Sequence, residues 1–156
     1  MRSLSQWLEE YGQSHQNSVN QTIHKICVPL IEFSLLGIFW LIPTPQIFWN
    51  IPYLNWATLF SFLALIFYVS LLNFKYLLGS ICMLFPMLIL ISFLKNSYGG
   101  IIIYGFGLIF ALSWIGQFIG HKIEGKKPSF FKDLFFLLIG PLWVLKSLFQ
   151  KLGIED

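Results

Sequence analysis

Residues 26–42 read ICVPLIEFSLLGIFWLI and contain a single charged side chain, that of Glu32. A helix of about 20 such residues crosses the hydrocarbon core of a bilayer, because each residue advances the helix by about 1.5 Å. Pro43 and Pro45 follow directly, and proline does not continue a helix. The run therefore predicts a first membrane helix that ends near residue 42.

Further apolar runs follow the first along most of the chain. They cover residues 54–72, 76–94, 101–120 and 134–149. The last run is short and is interrupted by Gly140 and Pro141, which favours a kinked or incomplete span over a re-entrant or interfacial helix. We therefore expect an all-α integral membrane helical bundle with four to five spans. It occupies residues 26–149 of a single membrane domain, 1–156, after an amphipathic and cytoplasmic N-terminal segment, 1–25.

The composition excludes several classes of protein. The 156 residues are 56% hydrophobic, 19% aromatic and only 11% charged, and the mean hydropathy is +0.72. Soluble domains carry about a quarter charged residues, so a soluble globular protein is excluded, and disordered chains are more polar still. The net charge is +3, and no basic run alternates with aromatic residues, so we expect no nucleic-acid partner. Membrane lipids are the expected surroundings.

An amphipathic helix is predicted before the first span. Its apolar stripe has helical spacing and consists of Leu4, Trp7, Leu8 and Tyr11. Ser3 and Gln6 have the spacing of a capping box at the start of this helix, and Ser18 is predicted to cap the next one. The chain therefore breaks before residue 18. The stripe either lies on the membrane surface or packs against the protein's own helices, and the sequence permits both.

Positive charges predict the orientation of the spans. With a cytoplasmic N-terminus, the cations on the cytoplasmic side are Arg2, Lys25, Lys75, Lys122, Lys126, Lys127 and Lys132. Lys95 is then the only lysine in the outer connections before the last apolar run. The positive-inside rule favours this arrangement. We expect an integral protein of a bacterial inner membrane or of the endoplasmic reticulum.

Three histidines lie at one face of the predicted bundle. His24 is at the entrance of the first span and His121 at the exit of the fourth, so two intervening crossings return the chain to the same side. His15 precedes that entrance, and the break before residue 18 lets it fold back toward His24. Imidazole binds both zinc and iron. The sequence therefore permits a shared metal site on the cytoplasmic face, and three unrelated interfacial histidines are the alternative.

Polar neighbours extend this candidate site. Asn20 lies one turn before His24 and shares its helix face. A second stripe with helical spacing consists of Trp114, Gln117, His121 and Glu124. Amides and a carboxylate beside imidazoles are typical of metal sites. These residues therefore belong to the candidate centre.

Other polar residues have two interpretations each. Glu32 is an intramembrane carboxylate, which favours a function, and a protonated or hydrogen-bonded glutamate near the interface explains it equally well. Lys122, Lys126 and Lys127 are able to attract a carboxylate or a lipid phosphate. Orientation of the protein in the membrane explains the lysines equally well.

The histidines and their neighbours also form a recognisable pattern. Its members are Tyr11, His15, Asn20, His24 and Pro29, and later Trp114, Gln117, Phe118, Ile119, Gly120, His121, Glu124 and Pro128. In this pattern the chain resembles the 2-hydroxy fatty acid dioxygenase family of small membrane proteins. The likeness covers about residues 7–33 and 111–145, and the spans between them match only in hydropathy.

The resemblance implies an iron(II)-dependent alpha-oxidation. In this reaction a 2-hydroxy fatty acid reacts with dioxygen and yields an acid one carbon shorter. The resemblance also implies that His15, His24 and His121 bind Fe(2+). Glu124 is a further candidate ligand, or a residue that supports the ligands.

We expect supporting catalytic roles for three more residues, from their spacing and charge. Asn20 and Gln117 would orient the imidazoles or dioxygen, because each lies one turn from a candidate ligand. Lys122 would help to hold the substrate carboxylate. These assignments are expectations for the structure.

Two other functions remain open from the sequence. One is a non-enzymatic membrane lipid-binding or transport protein whose histidines bind a structural metal. The other is a zinc-dependent membrane hydrolase with Glu124 as its general base. Metal content separates these functions. The dioxygenase requires iron and the hydrolase requires zinc, whereas the lipid-binding or transport protein has a structural metal or none. The sequence leaves the oligomeric state open.

Overall fold

Every regular element in residues 2–154, the part of the chain that this computed structural model describes, is a helix. Within it the α-helices are α1 (Leu4–Gly12), α2 (Ser18–Leu41), α3 (Trp56–Ser70), α4 (Phe74–Tyr98), α5 (Ile102–Glu124) and α6 (Phe136–Lys151). Short 3-10 turns occupy Gln46–Asn50, Gly99–Ile101 and Ser129–Phe131. The all-α class is therefore confirmed. Positions 1, 155 and 156 of the expected 1–156 domain lie outside the described residues.

The antiparallel pair of α2 and α5 is the most extensive helix contact. Near one end of the pair, a Cβ atom at Gly116 would lie 2.8 Å from Sγ of Cys27. Near the other end, a Cβ atom at Gly37 would lie 2.5 Å from Cδ1 of Phe106. Small residues at such contacts let the backbones of apolar helices approach closely. The pairing places the start of α2 beside the end of α5, as the count of crossings predicts.

α1 begins as predicted and packs inward. Oγ of Ser3 accepts the backbone N–H of Gln6 at 3.3 Å, and the Ser3 N–H donates to Oε1 of Gln6 at 2.8 Å. The apolar stripe is buried and consists of Leu4, Trp7, Leu8 and Tyr11. The indole of Trp7 meets the ring of Phe136 on α6 edge to face, with centroids 5.1 Å apart. Of the two surroundings that the sequence permits, the stripe contacts the protein's own helices.

The break before α2 is present at residues 13–17. The prediction of Ser18 as the cap is wrong by one residue, because the side chain of Asn17 caps the helix. Its Oδ1 accepts the backbone N–H groups of Val19 and Asn20 at 2.9 and 3.4 Å. Asparagine and serine are both favoured at this position, and the extended backbone of Asn17 decides between them.

α6 contains 16 residues, fewer than the 20 or so that a full crossing needs. Gly140 and Pro141 lie inside it and are buried. A Cβ atom at Gly140 would lie 3.2 Å from Oη of Tyr11, so α1 approaches α6 closely here. The hydroxyl of Tyr68 on α3 donates to the carbonyl oxygen of Leu138 at 2.9 Å. The middle of α6 therefore packs against both α1 and α3.

In the part of the chain that the structure describes, two helical stretches are long and apolar enough to cross a membrane. They are Ser18–Leu41, with a mean hydropathy of 1.5, and Phe74–Glu124, with a mean hydropathy of 2.5. The second stretch comprises α4 and α5 and is interrupted at Gly99, which adopts a φ of +63° that favours glycine. α3 is apolar but has only 15 residues. The count of four to five spans stays a prediction.

We expect Gly37→Ala to lower the stability of the protein by about 1–3 kcal/mol, because overpacking a tight helix contact is costly. The added methyl group would overlap the ring of Phe106, which is almost completely buried. The measurement is the thermal unfolding midpoint of the protein in detergent. Gly107→Ala on α5 is the matched control, because a Cβ atom there meets no neighbour within 4 Å. Equal midpoints for Gly37→Ala and wild type would contradict this close packing.

Candidate metal centre

Three buried imidazoles meet where α2 begins and α5 ends. They belong to His15 in the connection before α2, His24 on α2 and His121 on α5. One ligand atom from each ring lies within 4.8 Å of the other two. The Nε2 atoms of His24 and His121 are 3.1 Å apart. The predicted convergence of the three histidines is confirmed.

Two of these rings are oriented by the carbonyl group one turn earlier. Nδ1 of His15 lies 2.7 Å from the carbonyl oxygen of Tyr11, and Nδ1 of His24 lies 3.0 Å from that of Asn20. A carbonyl oxygen only accepts hydrogen bonds, so each Nδ1 carries the proton and donates it. In a neutral ring, the lone pair of Nε2 is then available to a metal ion.

The chemistry of the cluster fits a divalent metal ion. Burial lowers the pKa of His15 to about 4, so this imidazole is neutral at pH 7 and able to bind metal. Nε2 of His15 and Nδ1 of His121 are buried and have no hydrogen-bond partner within residues 2–154. Hydrogen bonds within the cluster therefore do not satisfy all of its nitrogen atoms. Convergent imidazole nitrogens are a donor set that suits zinc and iron.

The carboxylate of Glu124, at the end of α5, forms hydrogen bonds with the segment that contains His15. Its Oε1 accepts the backbone N–H of Gln16 and its Oε2 that of Asn17, both at 2.8 Å. Oε2 also accepts a hydrogen bond from Nδ2 of Asn20 at 3.0 Å. Both carboxylate oxygens are engaged by N–H donors, and the convergent group of ligand atoms comprises the histidines without Glu124.

Asn20 links the parts of this centre and is completely buried. Its Nδ2 donates to the carbonyl oxygen of Ser14 at 3.1 Å as well as to Glu124. The backbone carbonyl oxygen of Asn20 accepts the hydrogen bond from Nδ1 of His24, so the two residues share a helix face as predicted. Gly120 on α5 leaves the necessary space, because a Cβ atom there would overlap Oδ1 of Asn20.

Three residues contact this centre although the sequence gave them no role in it; of these, Tyr11 was predicted only as part of the apolar stripe and of the family pattern. The ring of Tyr11 stacks on that of His15, with centroids 4.2 Å apart, and the ring of Trp143 lies 5.2 Å from His15. Oγ of Ser129 lies 2.6 Å from Oγ of Ser14. The one-turn spacing of Tyr11 and His15 is a signal that identifies Tyr11. Trp143 and Ser129 come from distant segments, so no local pattern identifies them.

A cavity of about 320 Å³ extends from the histidines into the bundle. His15 and His121 border one end of the cavity, and Leu35 lines its deeper part. Leu35 lies about 16 Å further along the axis of α2 than His24, so the cavity is long. Most of the wall is hydrophobic and includes Val28, Ile31, Phe60, Ala64, Leu84, Phe110, Phe130 and Leu137. A metal centre at the end of an apolar cavity suits a ligand with a polar end and a long apolar chain.

The structure brings some of the other predicted residues to the cavity and leaves others outside. Gln117 is buried and lines the cavity one turn from His121. Asn20 lies behind the histidines and is not part of the wall. Lys122 is exposed and does not line the cavity, because neighbouring residues of a helix face different directions. The structure therefore does not bring Lys122 to the centre.

Comparison with known proteins identifies one family. A family model described as 2-hydroxy-palmitic acid dioxygenase Mpo1-like matches residues 1–152 of the chain. The match includes the three histidines and every residue of the cavity wall, and it confirms the resemblance drawn from the sequence pattern. No curated protein and no solved structure matches the chain.

We expect the purified protein to bind a divalent metal ion, and His15→Ala, His24→Ala and His121→Ala each to lose it, because each removes one imidazole ligand. The measurement is the metal content after anaerobic loading with iron(II) and removal of free metal. Thr22→Ala is the matched control, since Thr22 is exposed on α2 and should be irrelevant to the centre. Full metal occupancy in a triple-histidine variant would overturn the site.

We expect Glu124→Gln to weaken metal binding by about 10–100-fold without abolishing it, because residues that orient ligands have effects of this size. A glutamine offers only one accepting oxygen, so one of the N–H bonds from Gln16 and Asn17 is lost. The measurement is metal affinity by chelator competition. Glu9→Gln, at an exposed position of α1, is the control and should keep wild-type affinity. Complete loss of metal in Glu124→Gln would instead identify Glu124 as a ligand.

Proposed function

The chain belongs to the 2-hydroxy-palmitic acid dioxygenase Mpo1-like family, and on this premise we propose that it is an iron(II)-dependent dioxygenase of 2-hydroxy fatty acids. Dioxygen is the oxidant, the product is a fatty acid one carbon shorter, and the carboxyl carbon leaves as carbon dioxide together with one molecule of water. The observation that carries this proposal is a group of three convergent imidazoles, two of which, those of His15 and His121, border one end of a long apolar cavity.

The three histidines are the residues that would hold the iron. When bound, iron(II) supplies the redox chemistry toward dioxygen that protein side chains lack. The hydroxyl and carboxylate groups of a 2-hydroxy acid form the polar end of the molecule and belong beside His15, His24 and His121. The alkyl chain belongs in the cavity, whose wall is largely hydrophobic.

Other residues of the chain position these ligands and the substrate. Glu124 and Asn20 hold the segment of His15 against α5, and the ring of Tyr11 covers one face of the His15 imidazole. Gln117 lines the cavity one turn before His121, so its amide is placed to hydrogen-bond the polar end of the substrate. Burial of the imidazoles also keeps bulk water away from the centre.

We propose that the protein spans a membrane with the metal centre at the cytoplasmic face. Two stretches are long and apolar enough to cross, and large apolar side chains are exposed on the outside of the bundle. Examples are Phe62, Phe85, Leu112 and Ile119. Lys25 and Lys122 are close in sequence to His24 and His121, so positive charge lies at the histidine end and favours the cytoplasmic side.

The two alternatives from the sequence have less support. A zinc-dependent hydrolase needs a free general base, whereas both oxygens of Glu124 already accept N–H donors. A lipid-binding protein without catalysis would use the same cavity but would release its ligand unchanged. Turnover therefore separates that alternative from the dioxygenase.

Iron(II)-loaded protein is expected to convert 2-hydroxypalmitate and dioxygen into the acid one carbon shorter. Palmitate and 3-hydroxypalmitate should not react, because neither has a hydroxyl group on the carbon next to the carboxylate. The measurement is product mass together with oxygen consumption. His121→Ala should fall to background, and Thr22→Ala should keep wild-type turnover. Equal turnover with zinc, or an iron-occupied protein without turnover, would overturn the proposal.

A further inference from the structure

Two polar atoms in the deeper part of the cavity wall have no partner. Oε2 of Glu32 on α2 and Nε1 of Trp114 on α5 are buried and make no hydrogen bond among the described residues. Both residues line the cavity that begins at the histidines. Leaving a buried donor or acceptor unpaired is costly, and native proteins rarely do so. Each of these two groups therefore requires a partner from outside the described residues, either a water molecule or a ligand.

The other polar side chains at this depth are already paired. The hydroxyl of Tyr68 donates to a backbone carbonyl of α6 at 2.9 Å, and that of Ser61 donates to the carbonyl one turn earlier at 2.8 Å. Both line the same cavity. Glu32 and Trp114 thus differ from their neighbours, and together they offer an unused carboxyl oxygen and an unused N–H donor.

Glu32 and Trp114 lie at a similar depth below the metal centre. Glu32 is about 12 Å further along the axis of α2 than His24, and Trp114 is about 10 Å from His121 along α5. Because the two helices are antiparallel, both distances run from the histidines into the bundle. The cavity continues past this level to Leu35.

The surroundings select the chemical group that fits this pair. A plain alkyl chain would leave both polar atoms unpaired. A charged group would have to be removed from water into a largely hydrophobic wall, which is strongly unfavourable. A hydroxyl group is neutral, accepts a hydrogen bond from the indole N–H of Trp114 and donates one to the carboxyl oxygen of Glu32.

We propose that Glu32 and Trp114 form a subsite for a hydroxyl group in the middle of the substrate chain. The preferred substrates are then 2-hydroxy fatty acids that carry a further hydroxyl group about halfway along the chain. This inference rests on the proposed function for the position of the carboxylate end. Glu32 and Trp114 determine specificity, since they contact the chain and not the reacting carbon atoms.

The test is equilibrium binding to metal-free protein in detergent, measured by displacement of a fluorescent fatty acid. The probes are palmitic acid and a series of palmitic acids in which one hydroxyl group moves along the chain. With two hydrogen bonds formed in an apolar wall, we expect the mid-chain hydroxy acid to bind about tenfold tighter than palmitic acid. The preference should disappear when the hydroxyl group is near the methyl end.

Variants of the two residues locate this preference. Glu32→Leu and Trp114→Phe should each reduce it to about threefold or less, and the double variant should abolish it, because each removes one hydrogen-bonding group. Ser34→Ala is the matched control, since Ser34 is buried on α2, its hydroxyl already donates to the carbonyl oxygen of Leu30 and it does not line the cavity. This variant should keep the tenfold ratio. Glu32→Gln should retain most of the preference because its amide also accepts a hydrogen bond.

Two results would overturn the subsite. One is equal affinity of wild-type protein for palmitic acid and for the mid-chain hydroxy acid, which would mean that water satisfies both groups. The other is an unchanged preference in the double variant. Unfolding of the variants is not expected, because exchanging an unpaired buried carboxyl group for leucine should maintain or raise the thermal unfolding midpoint. The double variant Glu32→Gln with Trp114→Phe is a second, more conservative combination.

The binding test is independent of catalysis. Chain preference without turnover of 2-hydroxypalmitate by iron-loaded protein would support the subsite and reject the proposed reaction. Turnover without chain preference would support the proposed reaction and reject the subsite. Failure of the subsite and failure of the proposed function are therefore distinguishable.

Discussion

The close antiparallel packing of α2 and α5 is the constraint on which the candidate metal centre depends. His24 and His121 meet because the start of one helix lies beside the end of the other, and Gly120 keeps the backbones near enough for contact. His15 lies outside any helix, and Glu124 holds its segment against α5 by accepting the N–H groups that follow it. Any change that separates the two helices would therefore also separate the three imidazoles.

The helical class and the common face of the histidines were predictable because both follow from local pattern and from the count of crossings. The cap of α2 was misplaced because Asn17 and Ser18 are both good caps, and only the backbone conformation distinguishes them. The contacts of Glu124 with Gln16 and Asn17 were not predictable, since they join residues more than a hundred positions apart. Helical spacing shows which residues share one face of a helix, but it does not show which other segment of the chain packs against that face.

The cavity was beyond sequence analysis for a related reason. Apolar runs predict which residues form helices, but a cavity is the space that remains when helices of different side-chain size pack together. Here small residues such as Ala64, Ser61 and Gly140 line the cavity together with larger ones, and Gly140 also allows the close approach of Tyr11. Glu32 had two interpretations in the sequence for the same reason, because its surroundings depend on this packing.

The membrane location that we propose changes which contacts select a substrate. In water, burial of an alkyl chain is strongly favourable. A chain that moves from lipid into the cavity only exchanges one apolar environment for another, so its burial contributes little to affinity. Selectivity must then come from polar contacts at defined depths. The histidines provide one such contact at the end of the cavity, and Glu32 and Trp114 provide the other in its wall. Because α2 and α5 fix the positions of both contacts, these two helices determine at what distance from the carboxylate end a second polar group is accepted.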